Sequence, residues 1–151
     1  YLRTLAPQAA PDLTSETWLQ VIRSLSRFSG DEAAFRGWVF TIARNKVIDA
    51  QRRDRRRPRS VADDAVLDAL PSADDTVLAA MEHLTTESAL ALIATLPRDQ
   101  AEVIVLRVVA GLDVATVATI VGKNPGAVRV TAHRGLRRLQ GLVARPPVTL
   151  S

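Results

Sequence analysis

DVATVATIVGKNPGAVRVTAHRGLRRLQ, residues 113–140, holds two apolar-periodic segments joined by a tight turn, and the second carries a comb of arginines. Asp113 is placed to cap a helix over Val114–Val121, and Gly122 stands behind that helix. Asn124 can cap the next helix, and Pro125 takes its first position, where a missing N–H is no loss. Two helices joined by GKNP predict a helix-turn-helix, whose second helix enters the major groove of DNA. On that second helix the spacing predicts Val128, Ala132, Leu136 and Leu139 on the buried side. Arg129, His133 and Arg137 recur every four residues, and Val130, Arg134 and Arg138 form a neighbouring row. Lys123, Asn124, Gly126, Arg129 and Val130 lie where a recognition helix meets base edges, with Arg129 able to pair bidentately to guanine. His133, Arg134 and Arg137, a turn or two later, suit phosphates. The competing reading is a solvated amphipathic helix, but such helices mix both charges, and no acid occurs between 124 and 140.

Working outward, Ser88 to Thr95 and Arg98 to Ala110 read as two further helices, separated at Leu96-Pro97 and closed by Gly111. Near the other end, residues 12–27 place Leu13, Thr17, Val21, Ile22 and Leu25 on one helical stripe with Trp18 at its edge. Ser29, Gly30 and Asp31 form a turn, with Ser29 or Asp31 free to cap the next helix. From Glu32 a long periodic segment (Phe35, Trp38, Val39, Ile42, Ala43, Val47, Ala50) runs into the arginines at 52, 53 and 55–57, and Pro58 marks its boundary. Those arginines, with Arg44, Asn45 and Lys46, exceed what complementing a helix dipole needs, so phosphate contact is expected. Among Phe28, Phe35, Trp38 and Phe40, most should be core, and one or two near the 26–35 loop could stack on an unpaired base.

The 151 residues are 47% hydrophobic, enough for one domain or two small ones, and their helical spacing makes an all-α fold the expectation. Residues 1–57 carry 11 basic and 6 acidic side chains, 58–83 carry 1 and 6, and 84–151 carry 8 and 4. Two basic blocks flanking an acidic connector call for a shared polyanion, nucleic acid ahead of an anionic membrane surface. We therefore expect two small helical domains, 1–57 and 88–145, joined by a flexible linker at 58–87 with a short helical turn at Ala65–Leu70, and a tail at 146–151. No apolar run approaches the roughly 20 residues of a membrane span. The absence of cysteine excludes disulfides and fits an intracellular protein. A start at Tyr1 rather than Met reads as a piece of a longer chain.

The two blocks together resemble the extracytoplasmic-function (ECF) group of bacterial RNA polymerase sigma factors. PDLTSETWLQV and FRGWVFTIARNKVIDAQRRDRR resemble the family's first conserved region, and residues 96–139, LPRDQAEVIVLRVVAGLDVATVATIVGKNPGAVRVTAHRGLRRL, resemble its second nearly end to end. The helix-turn-helix alone would be a weak signal, whereas the two blocks in this order are a specific one. The resemblance implies an alternative sigma factor. Its first domain would bind the clamp of core RNA polymerase and open the minus-ten promoter element. Its second would bind the polymerase flap and the minus-thirty-five element. Asp12 and Glu16 fall at clamp-contacting positions, and the loop from Ser26 to Phe35, with Phe28 and Ser29, falls where the family captures a flipped base. Arg44, Asn45, Asp49, Arg52, Arg53 and Arg56 fall on the helix that reads the minus-ten duplex edge. The acidic linker would follow the RNA exit path, and an anti-sigma factor is an expected partner. The resemblance also implies a helix upstream of Tyr1, and it departs at Thr131, where the family often carries Arg or Lys.

His83 and His133 have no partner at metal-ligand spacing, so neither metal nor cofactor is expected. No phosphate-binding glycine loop or nucleophile–base constellation occurs, which argues against an enzyme. A cytoplasmic location follows from the family. The rival class is a stand-alone helix-turn-helix regulator that grips duplex DNA without polymerase.

Overall fold

The computed structural model describes residues 1–56 and 85–144, and every regular element among them is helical. They fall into two compact units, described separately. The expected helical turn at Ala65–Leu70, most of the acidic connector, Arg57, His83 and the tail lie outside the described residues.

In the first unit α1 (Leu2–Leu5) and α2 (Ala10–Ser24) lead through a 3-10 turn (Leu25–Arg27) to the long α3 (Glu32–Arg55). Ala10, Leu13, Thr17 and Val21 are buried on α2, which packs on α3, where Gly37, Ala43 and Val47 are buried. The Thr17 hydroxyl donates to the Leu13 carbonyl at 2.7 Å, so this polar group enters the core already satisfied. Asp31, not Ser29, caps α3: its Oδ1 accepts from the Ala34 N–H at 2.8 Å. Two residues expected in the core are outside it, Ile22 being 68% and Leu25 51% exposed. The run 13–17–21 already fills the inner face. Ile22 lies about 100° further round the helix, and the 3-10 turn carries Leu25 off the stripe.

In the second unit α4 (Thr86–Ala94) starts two residues before the expected Ser88, because Thr85 serves as its cap and accepts from the Ser88 N–H at 3.2 Å. Next come α5 (Arg98–Ile104), a π-helical turn (Val105–Val109), α6 (Val114–Val121) and α7 (Pro125–Val143). The expectation of one regular helix from Arg98 to Ala110 is therefore corrected. The Ala110 N–H reaches back five residues to the Val105 carbonyl at 2.9 Å, and Arg107 Nη1 donates to the Leu112 carbonyl at 2.7 Å, closing the widened end. Ile93, Val103, Ile104, Leu106, Val117, Val128 and Leu139 form a core with essentially no exposure.

The buried side of α7 also differs from the expected one. Val128, Leu136 and Leu139 are inside, but Ala132 is half-buried, while Thr131 and Gly135 take interior positions. Gly135 explains the rotation. A Cβ there would lie 2.8 Å from Ile104 Cγ1 and 3.5 Å from Gln100 Cβ, so the bare glycine lets α5 seat directly on α7 along the 131–135 edge.

Candidate nucleic-acid interface

Both capping residues expected of the helix-turn-helix make their bonds. Asp113 Oδ1 accepts from the Thr116 N–H at 2.7 Å and Asn124 Oδ1 from the Ala127 N–H at 2.8 Å. Gly122, at φ +67°, makes the left-handed turn between α6 and α7 that a side-chain-bearing residue adopts only with strain. The Asp113 carboxyl is held below the usual range, first by the Thr116 N–H, then by the Thr116 hydroxyl, with the charge of Arg107 adding to them. The cap is ionised, as an N-terminal helix charge should be.

This framing exposes one side of α7. Lys123, Asn124, Gly126, Arg129, Val130 and Arg137 are exposed, and His133 and Arg134 are half-buried. Gly126, Val130, His133 and Arg137 follow one another at spacings of four, three and four, so they share a face, flanked by Arg129 on one side and Arg134 on the other. The Lys123 ammonium lies 3.9 Å from the Asp99 carboxylate across an exposed surface, a pair of little energetic weight. Thr131 is 8% exposed, on the opposite, core side of α7.

The first unit carries a second cationic face. Asn45, Asp49 and Arg52 on the C-terminal half of α3 and Arg56 at its C-cap recur at four, three and four, all exposed, with Arg53 exposed beside them and Arg44 half-buried to one side. At the other end of α3 the loop is tightly built. Phe28 stacks on Trp38 (centroids 4.8 Å apart, planes at 23°) and meets Phe35 edge-on at 5.5 Å, so one face of its ring is already occupied. Ser29 is exposed. Gly30 sits at φ +151°, and a Cβ on it would stand 2.8 Å from Ala34 Cβ, so its missing side chain sets the loop path.

Asp12 is exposed and Glu16 half-buried one turn further along α2. Beyond them Trp18 (51%), Leu19 (50%), Ile22 and Leu25 form an exposed apolar patch, of which the helical spacing predicts only Ile22 and Leu25 in the core and Trp18 at its edge. The signal was present in the sequence. The 13–17–21 run needs no help, and 18–22–25 is a second helical series pointing elsewhere. Among the described residues no cluster of His, Cys, Asp or Glu could hold a metal ion, and no helix is long and apolar enough to cross a membrane.

Residues 1–57 match Sigma-70 region 2, and residues 86–139 match Sigma-70, region 4. ECF RNA polymerase sigma factor ShbA of Streptomyces griseus is 39% identical over 135 residues, which cover 87% of this chain and 70% of that one. The chain belongs to the ECF group of RNA polymerase sigma factors. ECF sigma factor BldN of Streptomyces coelicolor is 36% identical over 146 residues, 95% of this chain and 54% of BldN, so the chain spans about half the length of that relative. The sigma factor RpoE of Bartonella quintana, solved with the anti-sigma factor NepR, shares the fold with a TM-score of 0.66 over 93% of this chain and 86% of that one, at 23% identity. The two cationic faces thus belong to two conserved regions of one family.

Proposed function

We propose that this ECF sigma factor binds core RNA polymerase and directs promoter-specific initiation, with its first unit recognising and opening the minus-ten element and its second binding the minus-thirty-five element. The observation that carries this reading is the pair of exposed cationic helix faces, one on α3 and one on a framed helix-turn-helix, in one chain of this family. Neutralising phosphates along each face releases counterions and supplies affinity without sequence preference. Selectivity then comes from base edges read by the first turns of α7 and from a base taken into the 26–35 loop. Unstacking a base costs a few kcal/mol, which the loop must return through stacking and edge hydrogen bonds. With Phe28 packed against Trp38, Ser29 and the loop backbone supply the polar part of that contact.

Asp12 and Glu16 contact the polymerase clamp. The neighbouring patch of Trp18, Leu19 and Ile22 on α2, with Leu25 in the turn that follows, gives that contact its apolar centre, since a solvent-exposed group of large apolar side chains suits a macromolecular partner. The second unit binds the flap. The protein acts in the cytoplasm as a non-enzymatic initiation factor, and an anti-sigma factor that covers both cationic faces would hold it inactive. Run-off transcription tests the reading: specific transcripts require both the chain and core polymerase, and the free chain binds DNA weakly and in a salt-sensitive way. Core-independent nanomolar binding to a two-fold operator would instead establish the stand-alone regulator.

A further inference from the structure

We infer that Val130 and Gly126 form a receptor for the 5-methyl group of a thymine in the minus-thirty-five element. The inference rests on α7 being the major-groove helix and deepens that reading. Val130 is 37% exposed in the middle of a face otherwise made of Lys123, Arg129, His133 and Arg137. The fold does not use it as an anchor, because Val128, two residues earlier, is fully buried and already ties this turn to the core. Gly126 lies one turn before Val130 on the same face. Its φ is not among the positive ones, and a Cβ on it would touch only Asn124 Oδ1, at 3.3 Å. Neither backbone geometry nor core packing therefore calls for a glycine at 126. What the pair creates is a shallow notch, floored by the helix backbone and walled by a branched apolar side chain, inside a cationic rim.

The rim selects nucleic acid, and the notch selects within it. On the major-groove edges of the four bases the thymine C5-methyl is the one apolar substituent, and the other groups there are hydrogen-bond donors and acceptors that gain nothing from a valine. A methyl seated between Val130 and the bare backbone at 126 leaves water on both sides of the contact. A side chain at 126 would occupy the same space.

The test uses holoenzyme assembled from the full chain and core polymerase. Minus-thirty-five sequences are first selected from randomised duplexes, and each thymine is then replaced by deoxyuridine, which removes the methyl and keeps the hydrogen-bonding edge. One replacement should weaken binding about fourfold, the weight of one buried methyl. In Val130→Ala that penalty should shrink towards onefold. In Gly126→Ala, where the notch is filled, the uridine duplex should bind at least as well as the thymine duplex. Val130→Ala leaves Val128 and the Asn124 cap untouched, whereas the new Cβ in Gly126→Ala stands 3.3 Å from the capping Asn124 Oδ1, so unchanged thermal unfolding by circular dichroism is required of both variants to confirm an intact cap and second unit. If no thymine is sensitive, or if the penalty survives Val130→Ala unchanged, the inference is overturned while sequence selection, and with it the major-groove reading, stands. Failure to select any minus-thirty-five sequence would remove both.

Discussion

Replacing Gly135 by alanine separates two opposed expectations. Helix propensity alone favours the change by about 1 kcal/mol, because glycine inside a helix forfeits backbone entropy. The structure points the other way. The new methyl would arrive 2.8 Å from Ile104 Cγ1 and 3.2 Å from its Cδ1, and Ile104 is fully buried, with no solvent side to move into. Overpacking of this kind costs about 1–3 kcal/mol, so the net effect is a loss on the order of 1 kcal/mol, or about 4–8 °C in the melting temperature of a unit this small. The chain offers a built-in control. Both of its tryptophans, Trp18 and Trp38, lie in the first unit, so their fluorescence follows that unit, whereas far-ultraviolet circular dichroism follows both. Gly135→Ala should lower the dichroism transition of the second unit and leave the tryptophan transition in place. Adding Ile104→Ala, which removes the opposing atoms, should make the double variant less destabilised than the two single losses predict together, by about 1 kcal/mol. A melting temperature that stays level or rises in Gly135→Ala, or strict additivity with Ile104→Ala, would refute the close seating of α5 on α7.

Other perturbations address the two interfaces and their frames. Arg52→Ala should weaken DNA binding by holoenzyme to a similar degree on all sequences and reduce the slope of log K against log salt by about 0.9, the contribution of one phosphate; a sequence-dependent loss would reassign Arg52 to a base. Arg129→Ala should cost about 1–3 kcal/mol of discrimination at a single minus-thirty-five base pair, measured by competition between duplexes differing at that pair. Gly30→Ala forces a side chain into a φ of +151° and against Ala34, so it should alter minus-ten preference in transcription assays while leaving minus-thirty-five binding intact. Asp113 has a depressed pKa in the folded state, so its stabilisation is fully present above the ordinary aspartate value near 3.8 and is lost as pH falls through the lower folded value. Asp113→Asn should therefore flatten the acid limb of the second unit's stability curve, as followed by circular dichroism.

What could be read from the sequence divides along a physical line. Caps and stops are local: Asp113, Gly122, Asn124 and Pro125 need only their immediate neighbours, and each behaves in the structure as its chemistry dictates. The outward face of α7 follows from those boundaries and the helical period, so Arg129, Val130 and Arg137 were legible as an exposed array. Phase against a partner helix is not local. Ile22 and Leu25 share α2 with a core series complete without them, and only the packing of α2 on α3 tells which series turns inward. Likewise the choice of Thr131 and Gly135 over Ala132 depends on Ile104, about thirty residues away. The packing of Phe28 on Trp38 was half visible, since the aromatic cluster could be counted but not its stacking.

The wide turn at Val105–Val109 amounts to one spare residue stored directly after α5. Removing a single residue from an ordinary helix swings everything downstream by about 100° and strips the core of its partners. Here a one-residue deletion can instead tighten a five-residue loop of the ladder into a four-residue one, leaving Leu112 and the Asp113 cap facing as before. The approach to the helix-turn-helix thus has a place where chain length can vary without rotating α6 and α7.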